Sequence, residues 1–229
     1  MPMRAAAAAA EADDPIARIA QTTRIALMAK APVPGQAKTR LAPALGAAGA
    51  AALAEHLLQH AVAQAVAAGL GAVTLWAAPD ATHPVFQSLH RSHGVALAVQ
   101  PAGDLGQRMA EVFRSAWAAG PGPVLLMGSD IPALDAALLR TAAAALHAHP
   151  AVFVPALDGG YALVGLRAPR PGLLAALFDG MAWSTPQVMA VTRTRLAALG
   201  LTPAELPPVA DIDEPSDLAH LPPGWPGAR

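Results

Sequence analysis

The 229-residue sequence has no cysteine. That excludes disulfides, thiolate metal centres and cysteine nucleophiles, and it leaves the redox compartment open. Charge is scarce as well: 14% of residues are Asp, Glu, Lys or Arg, and the formal net charge is −1. Lys and Arg are scattered, with no basic stripe to track a nucleic-acid backbone, so no nucleic-acid partner is expected. The apolar runs are too short to span a bilayer, so no membrane partner is expected either. The first 22 residues lack the basic start and apolar middle of a secretory signal. They are alanine-rich, broken by Glu11, Asp13, Asp14 and Pro15, and read as a loose extension on a cytoplasmic protein.

Apolar residues are plentiful, at 54%. In a chain of this length they imply one α/β domain in which alternating strands and helices bury a large core. Residues 23–220 are assigned to that domain and 221–229 to a proline-rich tail. The organising stretch is Val124-Leu125-Leu126-Met127-Gly128-Ser129-Asp130-Ile131-Pro132. Its apolar run reads as a buried strand of a parallel sheet. Asp130 then falls at the carboxyl end of a central strand, in the crevice where open α/β sheets bind ligands. A carboxylate there can hold a divalent cation or cap the local turn. Asp135 is the better N-cap for the helix that follows, which leaves Asp130 for a metal.

Other strands are expected at 24–29, 72–77, 95–99, 151–156 and 162–166, and helices at about 49–68, 83–93, from Asp104, from Asp135, 173–178 and up to Leu199. The first strand runs into Lys30-Ala31-Pro32-Val33-Pro34-Gly35-Gln36-Ala37-Lys38-Thr39-Arg40-Leu41. Two prolines and a glycine exclude helix and central strand, and three cations fall within eleven positions. A stiff cationic loop between strand and helix suits a diphosphate. It is neither a Walker loop nor a dinucleotide fingerprint. The candidate ligand contacts here are Lys30, Gly35, Lys38, Thr39 and Arg40.

His56 and His60 lie one turn apart, but Glu55 before His56 gives the wrong order for a zinc-protease motif, so a polar helix face is expected. Asp104 and Gln107 form a capping-box pattern, while Arg108 would face the crevice from the first turn and touch a phosphate or base. Asp158-Gly159-Gly160 between apolar runs is a hairpin signal. Its glycines also let a ligand approach the backbone, with Asp158 pointing at it. Ser184 and Gln187 repeat the capping-box pattern, and Trp183 either stacks on a sugar or base or belongs to the core. Near the end, an extended Asp211-Ile212-Asp213 would put both carboxylates on one side. With Asp213 or Glu214 capping a short helix opened by Pro215, Asp211 becomes the second candidate metal ligand.

Several segments resemble, together and in order, one family. They are Ala29 to Gly35 with Lys38-Thr39-Arg40-Leu41, Gly103 to Met109, Gly128 to Pro132 with Asp158-Gly159-Gly160-Tyr161, and Trp183-Ser184-Thr185 with Asp211 to Pro215. They are similar to the glycosyltransferases assigned to arsenosugar biosynthesis, within the GT-A superfamily, over residues 24–220. The loop and the Ser-Asp-Ile-Pro strand end also resemble 2-phospho-lactate and molybdenum-cofactor guanylyltransferases. The resemblance implies a Rossmann-like GT-A fold with a mostly parallel sheet, a nucleotide-diphosphate donor, a small-molecule acceptor, and Mg²⁺ or Mn²⁺. Asp130 matches the metal-binding strand end, Lys38 and Arg40 the phosphate-side loop, and Asp211 the late acidic position. Where the superfamily usually shows Asp-x-Asp, this chain has Ser129-Asp130-Ile131, with a single acid. Asp158 or Asp104 would orient the sugar or act as base. Nucleotidyl transfer from a nucleoside triphosphate, and nucleotide binding without catalysis, are the alternatives.

Overall fold

The computed structural model describes residues 22–228. The alanine-rich extension expected at the N-terminus therefore lies, apart from Thr22, outside the described residues. The strands are β1 (Arg24–Lys30), β2 (Val73–Ala78), β3 (Ala96–Val99), β4 (Val124–Met127), β5 (Ala151–Pro155), β6 (Tyr161–Leu166) and β7 (Ala204–Glu205). The helices are α1 (Ala42–Ala67), α2 (Pro84–His93), α3 (Leu105–Ala118), α4 (Ala136–Ala148), α5 (Leu173–Phe178) and α6 (Val188–Ala198). Short 3-10 turns cover Thr39–Leu41 and Pro215–His220.

Among the described residues, the seven strands form one sheet in the order β3-β2-β1-β4-β6-β5-β7. All pairings are parallel except those of β6, which runs antiparallel between β4 and β5. The fold is a mixed α/β architecture with helices on both faces. The chain winds outward from β1 to β3, then returns to lay β4 against the other side of β1. The carboxyl ends of β1 and β4 therefore flank the point where strand order reverses.

Strand alternation distributes the core. Ile25, Leu27, Leu125, Met127, Val152 and Val154 meet α1, α2 and α4 on one face. Ala26, Val124, Leu126, Phe153 and Val164 meet α3, α5 and α6 on the other. Two buried faces explain why β4 reads as an unbroken apolar run. Each fully buried Leu or Phe contributes about 1.5–3 kcal/mol.

Helix α1 begins earlier than expected. Pro43 fits a leading helical turn, and non-helical Gly46, with φ 70° and ψ 165°, divides that turn from the main run expected from about Gly49. With its leading turn, Thr39–Ala67 is long and apolar enough to cross a membrane by length and composition, with a mean hydropathy of 1.4 over an 18-residue stretch of it. This corrects the expectation that all apolar runs are too short. Its Leu58, Ala61, Val62 and Ala65 pack on the sheet, which accounts for the composition.

The proline-rich tail packs as well. Leu221 joins a third cluster with Leu41, Ala50, Leu53, Leu57, Ile212 and Leu218, against which Trp225 rests. His56 and His60 make T-shaped contacts with Trp225, at centroid distances of 4.5 and 4.8 Å. His60 Nε2 also lies 3.1 Å from the Pro132 carbonyl. The two histidines are therefore a packing surface for the tail, not a solvated face.

Candidate functional site

A cavity of about 570 Å³ opens over the carboxyl ends of β1 and β4. One part is polar. Lys30 reaches it from the end of β1, Lys38 and Arg40 from the loop that follows, Ser129 and Asp130 from the end of β4, Asp158 from the β5–β6 turn, and Asp211 and Asp213 from the late extended segment. Gly128 clears the space beside Asp130, since a Cβ there would lie 2.8 Å from Asp130 Oδ1. The backbone N–H of Ile212 donates to the Asp130 carbonyl at 3.0 Å, which fixes the late acidic segment against the strand end. Ile212 itself is fully buried, so the aspartates on either side of it emerge toward the cleft.

Lys38 is the pivot of the polar part. Its side chain is only 12% exposed, and its Nζ donates to Asp130 Oδ2 at 2.7 Å and to Asp213 Oδ1 at 3.4 Å. Burial alone would lower its pKa, but the two carboxylates outweigh burial and hold the ammonium above the usual lysine value. Its backbone is left-handed, with φ 47° and ψ 44°. Among the described residues only Lys38 and Ser184 are non-glycine residues with positive φ, and both line this cleft. Such conformations cost on the order of 1 kcal/mol and cluster where the surroundings hold a functional geometry. Lys30 Nζ closes the loop on the Gln36 carbonyl at 2.9 Å, and Arg40 bonds Asp213 Oδ2 at 2.6 Å from the rim.

Asp211 is half-buried. Its pKa is raised, first by desolvation, then by the nearby carboxylates of Asp158 and Asp130, against a smaller opposing effect of Lys38. The site thus gathers more carboxylate charge than its cations balance locally. Among the described residues, no group of three or more His, Asp or Glu side chains is arranged to hold a metal ion by itself.

The other part of the cavity is apolar. Met28, Leu105, Met109, Leu126, Tyr161, Trp183 and Val188 line it, with Thr185 and Ser184 at the edge. Trp183 is half-buried, 6.3 Å from Tyr161 in a T-shaped contact and 6.4 Å from Phe178. It sits directly on the first turn of α3. A Cβ at Gly106 would collide with the Phe178 carbonyl oxygen and approach Trp183 Nε1 to 2.9 Å. The hairpin turn is seated in the same way: a Cβ at Gly159 would overlap Pro186, and Met189 N–H donates to the Gly159 carbonyl at 2.9 Å. Asp158 Oδ1 accepts the Gly160 N–H at 2.8 Å, which pins its carboxylate at the cleft wall.

Lys30, Lys38, Arg40, Asp130, Asp158, Gly160, Trp183 and Asp211 thus line one cavity, while Gly35, Thr39, Asp104, Arg108 and Gly159 do not. Gly35 and Thr39 face outward on the loop. Asp104 is exposed and spent on the α3 capping box with Gln107. The expectation that Arg108 faces the crevice is corrected, because its Nε is drawn to the Gly103 carbonyl at 2.8 Å. Ser184 is not a helix cap: α6 starts at Val188, after Gln187, which makes no side-chain cap. Asp213, set aside as a cap, binds Lys38 and Arg40, while the N-cap position belongs to Glu214. Gln100 was missed altogether. Its Nε2 donates to the carbonyls of Ala29 and Trp76, both at 3.0 Å, tying the ends of β1 and β2 together beneath the cavity. An amide placed directly after an apolar strand is the signal that could have found it.

A family model described as an uncharacterized protein conserved in bacteria (DUF2064) matches residues 61–185. No curated protein matches the sequence. Among solved structures, the chain is similar to a protein from Desulfovibrio desulfuricans G20 assigned as a nucleotide-diphospho-sugar transferase. That match has 32% identity and a TM-score of 0.77, and covers 86% of this chain and 85% of the other. The fold also resembles a 4-diphosphocytidyl-2C-methyl-D-erythritol synthase from Anaerococcus prevotii, at 8% identity and TM-score 0.57, covering 86% and 95% of the two chains. A cytidylyltransferase from Leptospira borgpetersenii is similar at 13% identity and TM-score 0.53, covering 86% and 83%.

Proposed function

The chain belongs to the DUF2064 family, and on that footing we propose that it is a nucleotide-dependent transferase, more narrowly a glycosyltransferase using a nucleotide-diphosphate-sugar donor. The observation that carries this reading is the largely buried Lys38, set between Asp130 and Asp213 where strand order reverses. A cation and carboxylates at one crevice are what a diphosphate leaving group with a divalent ion requires. The similarity to a protein assigned as a nucleotide-diphospho-sugar transferase supports it. The narrower arsenosugar assignment rests on the motif resemblance.

The residues suit a hard cation in kind. Mg²⁺ is commonly held by one or two carboxylates, with substrate phosphates completing the shell, so a site without three preassembled ligands is adequate. Asp130 and Asp211 would hold it, and such an ion would offset the desolvation, and after it the carboxylate charge of Asp158 and Asp130, that raise the Asp211 pKa. When bound, Mg²⁺ or Mn²⁺ supplies neutralisation of the departing diphosphate. Lys38 and Arg40 place further positive charge on the leaving oxygens. Asp158 takes the proton of the acceptor hydroxyl; Asp104, committed to its cap, does not serve. The acceptor oxygen bonds to the anomeric carbon, the bond from that carbon to the diphosphate oxygen breaks, and the nucleoside diphosphate leaves with the electron pair.

A second reading, nucleotidyl transfer to a phosphorylated small molecule, is favoured by the names of the cytidylyl-transferring proteins that share the fold. Product analysis separates the two. Nucleoside diphosphate released from a nucleotide sugar supports glycosyl transfer, and pyrophosphate released from a nucleoside triphosphate supports the second. For the site itself, Asp130→Ala should abolish Mn²⁺-dependent nucleotide binding by calorimetry while circular dichroism stays native. A variant that binds nucleotide and Mn²⁺ like wild type would refute the assignment.

A further inference from the structure

The cleft is charged at one end only. Its basic lining residues, Lys30, Lys38 and Arg40, all come from the end of β1 and the loop after it. Among the described residues, the wall built by Leu105, Met109, Tyr161, Trp183, Thr185 and Val188 contains no Lys or Arg. Cations near it in sequence are spent elsewhere, Arg193 on the Glu205 carboxylate among them. Arg108 bonds the Gly103 carbonyl, and Arg195 bonds the carbonyls of Ala176, Asp179 and Gly180. A phosphate ester would have to bury its charge here without a counterion, which is costly.

The same wall adjoins the proposed base. Gly159, next to Asp158, lies against Pro186, and Trp183 is three residues before that proline. An acceptor that delivers a hydroxyl to Asp158 must therefore lie along this wall. The rest of the cavity, which includes Gln100 at the ends of β1 and β2, is left for the nucleoside. Trp183 is braced by Gly106, Phe178 and Tyr161, so it presents a fixed aromatic surface. Fixed aromatic surfaces bind ring faces with little ordering cost. Resting on the glycosyl-transfer reading above, we infer that this wall is an acceptor subsite for an uncharged hydroxyl compound with a ring face. Trp183 is its platform, and phosphorylated acceptors are excluded.

The test is calorimetry on the full chain loaded with Mn²⁺ and whichever of UDP, GDP or CDP binds. Phenyl β-glucoside should bind at least tenfold tighter than glucose 6-phosphate. Trp183→Ala should weaken the glucoside tenfold or more and leave nucleotide affinity within twofold. Leu105→Arg, at a rim position 44% exposed and so tolerant of substitution, should improve glucose 6-phosphate binding several-fold. Equal or tighter binding of glucose 6-phosphate to wild type, no binding of the glucoside, or a loss of nucleotide affinity in Trp183→Ala would overturn the inference. Failure of every nucleoside diphosphate to bind would overturn the transferase reading and this inference with it.

Discussion

Asp211 carries a penalty that can be measured. Because desolvation and the neighbouring Asp158 and Asp130 raise its pKa, the folded protein binds its proton more tightly than the unfolded chain does. The stability linked to that proton is present below the ordinary aspartate range and lost as pH rises through the raised pKa. Asp211→Asn should therefore melt higher than wild type at pH 7, with the gap closing toward acid pH in thermal scans. A gap that is constant with pH would show that charge is not the cause. Gly106 makes the reverse case. Gly106→Ala gains helix propensity, yet the added methyl meets the Phe178 backbone and Trp183, and overpacking of this kind costs about 1–3 kcal/mol. Urea unfolding should show a net loss of about 1–2 kcal/mol, where an open helical site would show a gain. The place of Asp130 at the strand end was readable before any coordinates from the apolar run ahead of it, and Asp135, five residues on, does cap Leu138 N–H at 2.7 Å. Gly106 was not, since a glycine in a helical turn shows nothing of the tryptophan that will arrive from residue 183.

At the scale of elements, local patterns were legible where local bonds decide them. The capping box of α3, the hairpin between β5 and β6 and the buried β4 all depend on neighbours in sequence or on apolar alternation. The pattern Ser184 to Gln187 misled because the turn there is held by the hairpin seated on Pro186 and not by a cap. The late acidic segment stayed open between two caps for a similar reason: the choice of Glu214 over Asp213 depends on Lys38 and Arg40, more than 170 residues away. The tail looked unassigned because prolines obscure its anchors, of which Trp225 is the largest. Trp225→Ala should remove that anchor from the α1 surface and cost about 1–3 kcal/mol, less than a fully buried tryptophan because Trp225 is only half-buried. Denaturant midpoints would check this, and an unchanged midpoint would mean the tail rests on α1 without holding it.

For the whole molecule, winding order makes the site. β1 and β4 are far apart in sequence and adjacent in the sheet, so a loop from residues 30–40, a strand end at Asp130, a turn at Asp158 and a segment at 211–213 arrive at one place. Strand periodicity made the architecture legible, but which loops share a mouth follows from strand order, which periodicity does not encode. One consequence concerns how a ligand enters. Asp130, Asp158, Asp211 and Asp213 face Lys30, Lys38 and Arg40, and two of those cations already lean on aspartates. To a bare nucleotide polyanion this mouth is unwelcoming. A donor should enter already chelated, as a nearly neutral package, so affinity should collapse under EDTA yet change little between low and moderate ionic strength. Tight capture of metal-free nucleotide that fades steeply with added salt would describe a different kind of doorway.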